Sequence, residues 1–170
     1  DTTVEKLGGL AALFAQDQEG TVTAGNSSSL NDGAAAVLLG GEDALPFEPL
    51  ARVVSRAAHG VDPDRFPIAP VEAANRALAK AGRTWADVDL VELNEAFASQ
   101  SLACLAGWPD LDPAKLNIHG GAIAIGHPLG ASGARIIGHA AHELNRRGRG
   151  LALVTACIGV GQALAVVLER

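Results

Sequence analysis

The stretch from Leu151 to Leu168 carries no charged side chain, and Gly159 and Gly161 divide it near its middle. An uncharged run of this kind belongs either in a membrane or inside a fold. Thr155, Gln162 and the central glycines suit a membrane helix poorly. Two buried strands meeting at a Gly-rich turn, ALVTACI and QALAVVL, fit the pattern better, so a β-hairpin is predicted and no membrane span is expected. Nor does the N-terminus offer a basic stretch followed by an apolar run, the mark of a signal peptide.

The remaining chain alternates helical and strand patterns. Residues 3–16 read as a helix with Leu7, Leu10 and Phe14 on one face, and residues 21–24 as a short strand. Residues 31–39 read as an apolar helix with almost no polar face, hence a buried one, ended by Gly40 and Gly41. Strands are predicted over 50–55 and 87–93. Helices are predicted over 71–81, from Asn94 onward, and from Pro128 through Asn145. Helices between strands, closed by a hairpin, imply an α/β layered domain with a mixed sheet.

At 170 residues the chain is long enough for one domain with a substantial core. Hydrophobic residues make up 48% and charged residues 19%, which excludes a disordered chain. A net charge of −6 argues against a nucleic-acid binder, which needs a basic face to neutralise phosphates. The two cysteines, Cys104 and Cys157, are too few for a disulfide framework and fit a reduced, intracellular setting. No Met occurs, even at position 1, so a processed N-terminus or a piece of a longer chain is expected.

Three places combine permissive glycines with reactive side chains. In the run from Gly120 to Gly133, His127 precedes Pro128, a residue suited to a helix's first turn. The positive end of that helix dipole disfavours imidazolium and keeps the ring usable as a base, although a histidine that merely caps a helix has the same pattern. Cys157 leaves an apolar strand into Ile158-Gly159-Val160-Gly161, where a thiol acid/base could sit beside a backbone oxyanion donor. A small buried core residue reads equally well. Asn94 and Glu95 stand at a strand-to-helix junction and taken alone are caps. Gly159-x-Gly161 lacks the third glycine of a dinucleotide fingerprint, Leu164 standing in its place. His139 and His142 lack a third ligand at matching spacing, so they read as solvated helix residues and no metal is expected. Cys104, in an apolar helix, reads as core.

Together these segments resemble one family, the thiolases, along the whole of residues 1–170. Thr21 to Gly33 is similar to the family's TAGN-x-S-x-x-NDGA segment, Asn94 to Phe97 to its NEAF motif, and Asn117 to Arg135 to its long GHP signature; Cys157-Ile158-Gly159 opens its last motif. The resemblance implies acyl transfer between coenzyme A thioesters: thiolytic cleavage of 3-oxoacyl-CoA, or condensation of two acyl-CoA molecules. It implies a thiolase-like layered half with a mixed β-sheet, helices on both faces and a terminal hairpin, with 26–39 and 128–145 in a middle helical layer.

The resemblance also assigns roles. His127 matches the histidine that activates the nucleophile, and Asn94 the residue holding a water in one oxyanion hole. Cys157 matches the thiol that moves a proton to or from the enolate carbon, and the Gly159 amide half of a second oxyanion hole. Ser28, Ala24, Ala96, Phe97 and, more loosely, Phe14 match residues of the pantetheine tunnel. Val160, Ala163 and Ser29 depart from frequent glycines and bear on pocket shape. The acylated cysteine belongs to the family's N-terminal half, and Cys104 lacks the Gly-rich elbow to replace it. The expectation is therefore a thiolase C-terminal domain, residues 1–170, inactive alone and partnered by the N-terminal half. CoA and acyl-CoA are its substrates, with no permanently bound cofactor. Homo-oligomer formation is expected, in the cytoplasm or, if eukaryotic, an organellar matrix. Two other readings stand beside it: a non-catalytic CoA-ester-binding or scaffold domain, which would not need the proton-transfer thiol, and a Cys–His hydrolase, which would require an acyl group on Cys157.

Overall fold

The computed structural model describes residues 2–14, 20–41 and 47–170. Its elements are, in order, α1 (Val4–Gly8), β1 (Arg52–Gly60), α2 (Ala69–Lys80), β2 (Leu90–Leu93), α3 (Ala98–Ala106), α4 (Ala122–Ile125), α5 (Leu129–Arg147), β3 (Leu151–Ile158) and β4 (Gln162–Glu169). The four strands form one mixed sheet in the order β1-β4-β3-β2. β2 and β3 run parallel, while the other pairs are antiparallel. The hairpin expected from the uncharged run is β3–β4, with Leu151 opposite Glu169 and Ile158 opposite Gln162. Its turn needs a glycine at 161. There φ is +88°, and a Cβ would run into the Val61 carbonyl oxygen.

Alternation along the strands sends side chains to two cores. Leu151, Leu153, Ala163, Ala165 and Val167 face Ala73, Ala74, Ala77 and Leu78 of α2, with Trp108 completing the layer. Ala152, Val154, Leu168 and Leu90 face Ile136, Ala140 and Leu144 of α5. Helices thus cover both faces of the sheet. The alanine stripe on α2 lets that helix lie close to the strands. Arg146 and Arg147 occupy the last turn of α5, favourably placed against its dipole, and Gly148 closes the helix at φ +73°. Among the described residues no helix is long and apolar enough to cross a membrane.

Several predicted elements differ. The opening helix is only Val4–Gly8, since Gly8 and Gly9 break the pattern and Ala12 then bridges Thr23; its final two predicted residues lie outside the described ones. That bridge is all that remains of the strand over 21–24. Residues 31–39 form no helix and lie exposed, Leu38 at 72% and Leu39 at 73%. So short a helix holds only when packing supports it, and this one has no cover among the described residues. The first strand runs from Arg52 to Gly60, beyond the predicted Ser55, because edge pairing with β4 organises residues that show no apolar alternation. Trp85–Asp87 is a 3₁₀ turn closed by a Thr84–Asp87 capping box, so β2 starts at Leu90. The helix expected from Asn94 begins at Ala98, residues 94–97 being tied to a neighbouring strip. Pro128 is the N-cap of α5 rather than a first-turn residue, and α4 was not foreseen.

Candidate active site

Main-chain hydrogen bonds lace together three segments distant in sequence. The Ser28 N–H donates to the Ala96 carbonyl at 3.0 Å, the Ala98 N–H to that of Asn26 at 2.8 Å, and the His127 N–H to that of Ser29 at 2.8 Å. The strip 26–30 therefore lies between the loop 94–97 and His127. β2 delivers Asn94 to this place: just past the strand, its N–H donates to the Thr155 carbonyl at 3.0 Å, two residues before Cys157. Reactive groups at the carboxyl ends of two parallel strands are where open α/β sheets concentrate chemistry.

Two side chains to which the motifs assigned no bracing role hold these loops. Asn117, at φ 45°, pairs with the Leu93 main chain, accepting from its N–H and donating to its carbonyl, both at 2.9 Å. It also donates to Glu95 Oε1 at 2.8 Å, and Glu95 Oε2 accepts from the Ile123 N–H at 3.1 Å. Gly121 is required beneath that carboxylate, since a Cβ there would collide with it. Glu95 is thus a brace between β2 and the Gly-rich run, not a helix cap.

The brace presents His127 to Asn94. The His127 Nδ1 lies 2.6 Å from Ser132 Oγ, and that hydroxyl donates its single proton to the Pro128 carbonyl at 3.1 Å. Ser132 must then accept from Nδ1–H, which leaves the Nε2 lone pair free. Asn94 Nδ2 is 3.4 Å from that Nε2. Burial first, and then the charge of Arg135, hold the imidazole pKa below its ordinary value, so the ring is neutral at physiological pH. The dipole argument expected this neutrality; the burial and the cation are what the structure adds. Arg135 also donates to the Gly126 carbonyl at 2.8 Å, next to the histidine.

Cys157 is half-buried on β3 opposite Ala163, and burial pushes its thiol up, so the resting group is a protonated thiol. Gly159 is exposed in the turn that follows. Among the described residues no hydrogen bond joins Cys157 or Gly159 to Asn94 or His127. Cys104 is buried in α3 with its thiol pushed up to about 12, an inert core group as the sequence suggested. Ser28 turns its hydroxyl onto the Ala96 carbonyl at 3.3 Å, and Phe14 meets Phe97 edge-on at 5.8 Å between centroids. Ala24 is exposed in the turn just before the strip. His142 is solvent-exposed as expected, whereas His139 is not a solvated residue: its Nδ1 lies 2.9 Å from Glu92 Oε1 of β2. The sheet carries that carboxylate toward α5, a proximity that helical spacing alone does not reveal. No group of three or more His, Cys, Asp or Glu side chains suited to a metal occurs among the described residues.

A mixed sheet covered by helices on both faces, with a neutral histidine beside an amide just past the end of β2, defines an α/β layered domain. Residues 47–170 match the model of the thiolase C-terminal domain, residues 1–43 match that of the thiolase N-terminal domain, and the chain belongs to the thiolase family. It is 52% identical over 172 residues to the mitochondrial 3-ketoacyl-CoA thiolase of Mus musculus, covering 99% of this chain and 43% of that one. It is 50% identical to the 3-oxoadipyl-CoA/3-oxo-5,6-dehydrosuberyl-CoA thiolase of Escherichia coli (strain K12), over 100% of this chain and 43% of the relative. The crystal structure of human mitochondrial 3-ketoacyl-CoA thiolase in complex with CoA superposes with a TM-score of 0.89 at 50% identity, covering 100% of this chain and 43% of that one. The chain therefore spans less than half the length of these relatives.

Proposed function

We propose that this chain supplies the acid/base part of a thiolase, transferring acyl groups between CoA thioesters by cleavage of 3-oxoacyl-CoA or by the reverse condensation. The Asn94–His127 contact, with Ser132 holding the histidine tautomer, carries the proposal. It leaves a basic nitrogen and an amide donor side by side, the pair that a thioester carbonyl needs. In cleavage, a cysteine of the N-terminal domain attacks the 3-oxo carbon. The bond between that carbon and its neighbour breaks, and its electron pair departs as the enolate of the shorter CoA ester. Cys157, resting as a thiol, gives its proton to the α-carbon of that enolate and becomes a thiolate. CoA thiol then takes the acyl group, and its proton restores Cys157. His127 Nε2 accepts the proton of the attacking cysteine and returns it when that cysteine leaves as CoA takes the acyl group, and Asn94 and the Gly159 amide face the two developing oxyanions. Ser28, Ala96, Phe97, Phe14 and Ala24 line the approach of the pantetheine arm.

The test is acetoacetyl-CoA cleavage by the 170-residue chain, alone and combined with a thiolase N-terminal half. The chain alone is expected to be silent and the combination active. Cys157→Ser, which keeps the size but weakens the acid, should lower the combined rate by about 100-fold. A combination that never cleaves, or a Cys157→Ser variant at full rate, overturns the proposal.

Leu38, Leu39 and Leu129 stand exposed at 72%, 73% and 68%, and large apolar side chains left open in this way favour association. Self-association of the chain follows, and size-exclusion elution as a compact monomer would contradict it. The mitochondrial names of the mammalian relatives support an organellar matrix for a eukaryotic source, with the cytoplasm proposed otherwise.

A further inference from the structure

Behind Asn94 lies a partly open cleft of about 220 Å³, lined among others by Glu92, Asn94, His119, Arg135 and His139. Two buried acceptors border it: Glu92 is 3% exposed and Asn94 1%. Although His139 Nδ1 is 2.9 Å from Glu92 Oε1, it is out of line for a hydrogen bond. Neither Glu92 Oε1 nor Asn94 Oδ1 has a hydrogen-bond partner among the described residues. Buried acceptors are seldom left so, and a cleft of this size, though mostly apolar in its lining, admits water where two such acceptors border it. Glu92 and Asn94 are two residues apart, so alternation sets them on one side of β2, their Cα atoms about 6.7 Å apart. Both side chains border the same cleft, where one or two waters can bridge the two acceptors with ordinary hydrogen bonds.

Resting on the reading of Asn94 and His127 given above, we propose that Glu92, which lies beside His139, is a positioning residue for Asn94. Through water in this cleft it holds Oδ1 of the Asn94 amide, and so keeps Nδ2 turned toward His127. Asn94 Oδ1 only accepts, so water donates to it in either state of Glu92. A protonated Glu92 donates into the water and an ionised one competes for its hydrogens, so its state changes how strongly the water holds Asn94. Arg135 from α5, His139 one turn further on, His119 from the Gly-rich run and Glu95 from the loop after β2 are the charged and titratable groups around it. Glu143 on α5 is already engaged by Arg146, Arg147 and His119. Burial above all, and then Glu95, raise the Glu92 pKa to about 7 against the opposing pull of Arg135. Burial likewise holds His139 below its ordinary value, so both members of the pair favour their neutral forms.

The test is a pH titration by nuclear magnetic resonance of the 170-residue chain, from about pH 5 to about pH 9. It follows the Asn94 side-chain amide and the His127 and His139 rings in wild type, Glu92→Gln and His139→Gln. In wild type the Asn94 amide signals inflect near the Glu92 value; in Glu92→Gln that inflection vanishes, and in His139→Gln it moves. His127 keeps its own inflection, lower in pH, in all three. An Asn94 amide blind to pH through the neutral range, or an inflection surviving Glu92→Gln, overturns the proposal. Should Glu92→Gln not fold, the wild-type and His139→Gln titrations decide it. In the enzyme combined with a thiolase N-terminal half, Glu92→Gln should lower kcat between about 10- and 100-fold with KM unchanged. An unaltered kcat would equally overturn it. If the combined wild type cleaves no thioester, the thiolase reading fails instead, and the titration still tests the Glu92–Asn94 coupling.

Discussion

Replacing His127 by alanine should lower thioester cleavage by about 10⁴-fold in the enzyme combined with a thiolase N-terminal half, near the upper limit for a single acid/base group. Two functions vanish together: the Nε2 lone pair that takes the nucleophile's proton, and the partner of the Asn94 amide at 3.4 Å. Ser132→Ala, which removes only the 2.6 Å contact that holds the tautomer, should cost far less, about 10-fold. The pH profile separates the causes. A base must be neutral to act, and burial with Arg135 holds the His127 pKa below its ordinary 6.5, so the acidic limb of kcat/KM should fall below that pH. Arg135→Met removes one of the two lowering causes and should move the limb upward. Steady-state rates across the acidic range check all three variants. A His127→Ala enzyme within 10-fold of wild type would remove the histidine from the reaction.

Glu92→Gln should reshape the pH dependence of stability itself. The Glu92 pKa is raised in the fold, to about 7 from an ordinary 4.5. The folded chain thus holds this proton more tightly than the unfolded chain does. Its favourable contribution is fully present below 4.5 and is lost as pH rises to about 7. Above that pH the fold carries a buried carboxylate at a cost of about 3 kcal/mol. Glutamine has no such proton. Relative to wild type, the variant should therefore gain about 3 kcal/mol between mildly acidic and mildly alkaline solution. Glu143 does not confuse the reading: bonds from Arg146 and Arg147 lower its pKa, so its contribution is lost only as pH falls below 4.5. Urea unfolding of both chains at about pH 5 and about pH 8 measures the difference, and a gap that does not change with pH would refute the assignment.

Most of the chemistry-bearing positions were legible because they sit in short, dense motifs. Asn94, His127 and Cys157 each adjoin glycines or a strand end, and those local signals do not depend on the rest of the chain. Cys104 was legible as core because its neighbours in α3 are apolar. Ser132 went unremarked because a serine inside a helix normally has no role beyond its own turn, and here it reaches back five residues to His127, just ahead of α5. Asn117 and Glu95 were hidden for a related reason: a brace between two loops is a long-range pairing, and no local pattern announces it. His139 was misplaced because helical spacing says which residues share a face, not what the sheet presents to that face.

By itself the amino-acid order determined the terminal hairpin, the helices α2 and α5, the mixed sheet and the residues able to do thiol and imidazole chemistry. Each of these follows from hydrophobic period, glycine placement or the nature of a side chain, all properties of neighbours along the chain. Tertiary structure alone decided that residues 31–39 lie open instead of helical, that β1 extends to Gly60, and that Glu92 meets His139 behind Asn94. Those outcomes depend on which surfaces come to cover one another, and burial, unlike periodicity, belongs to the folded molecule as a whole.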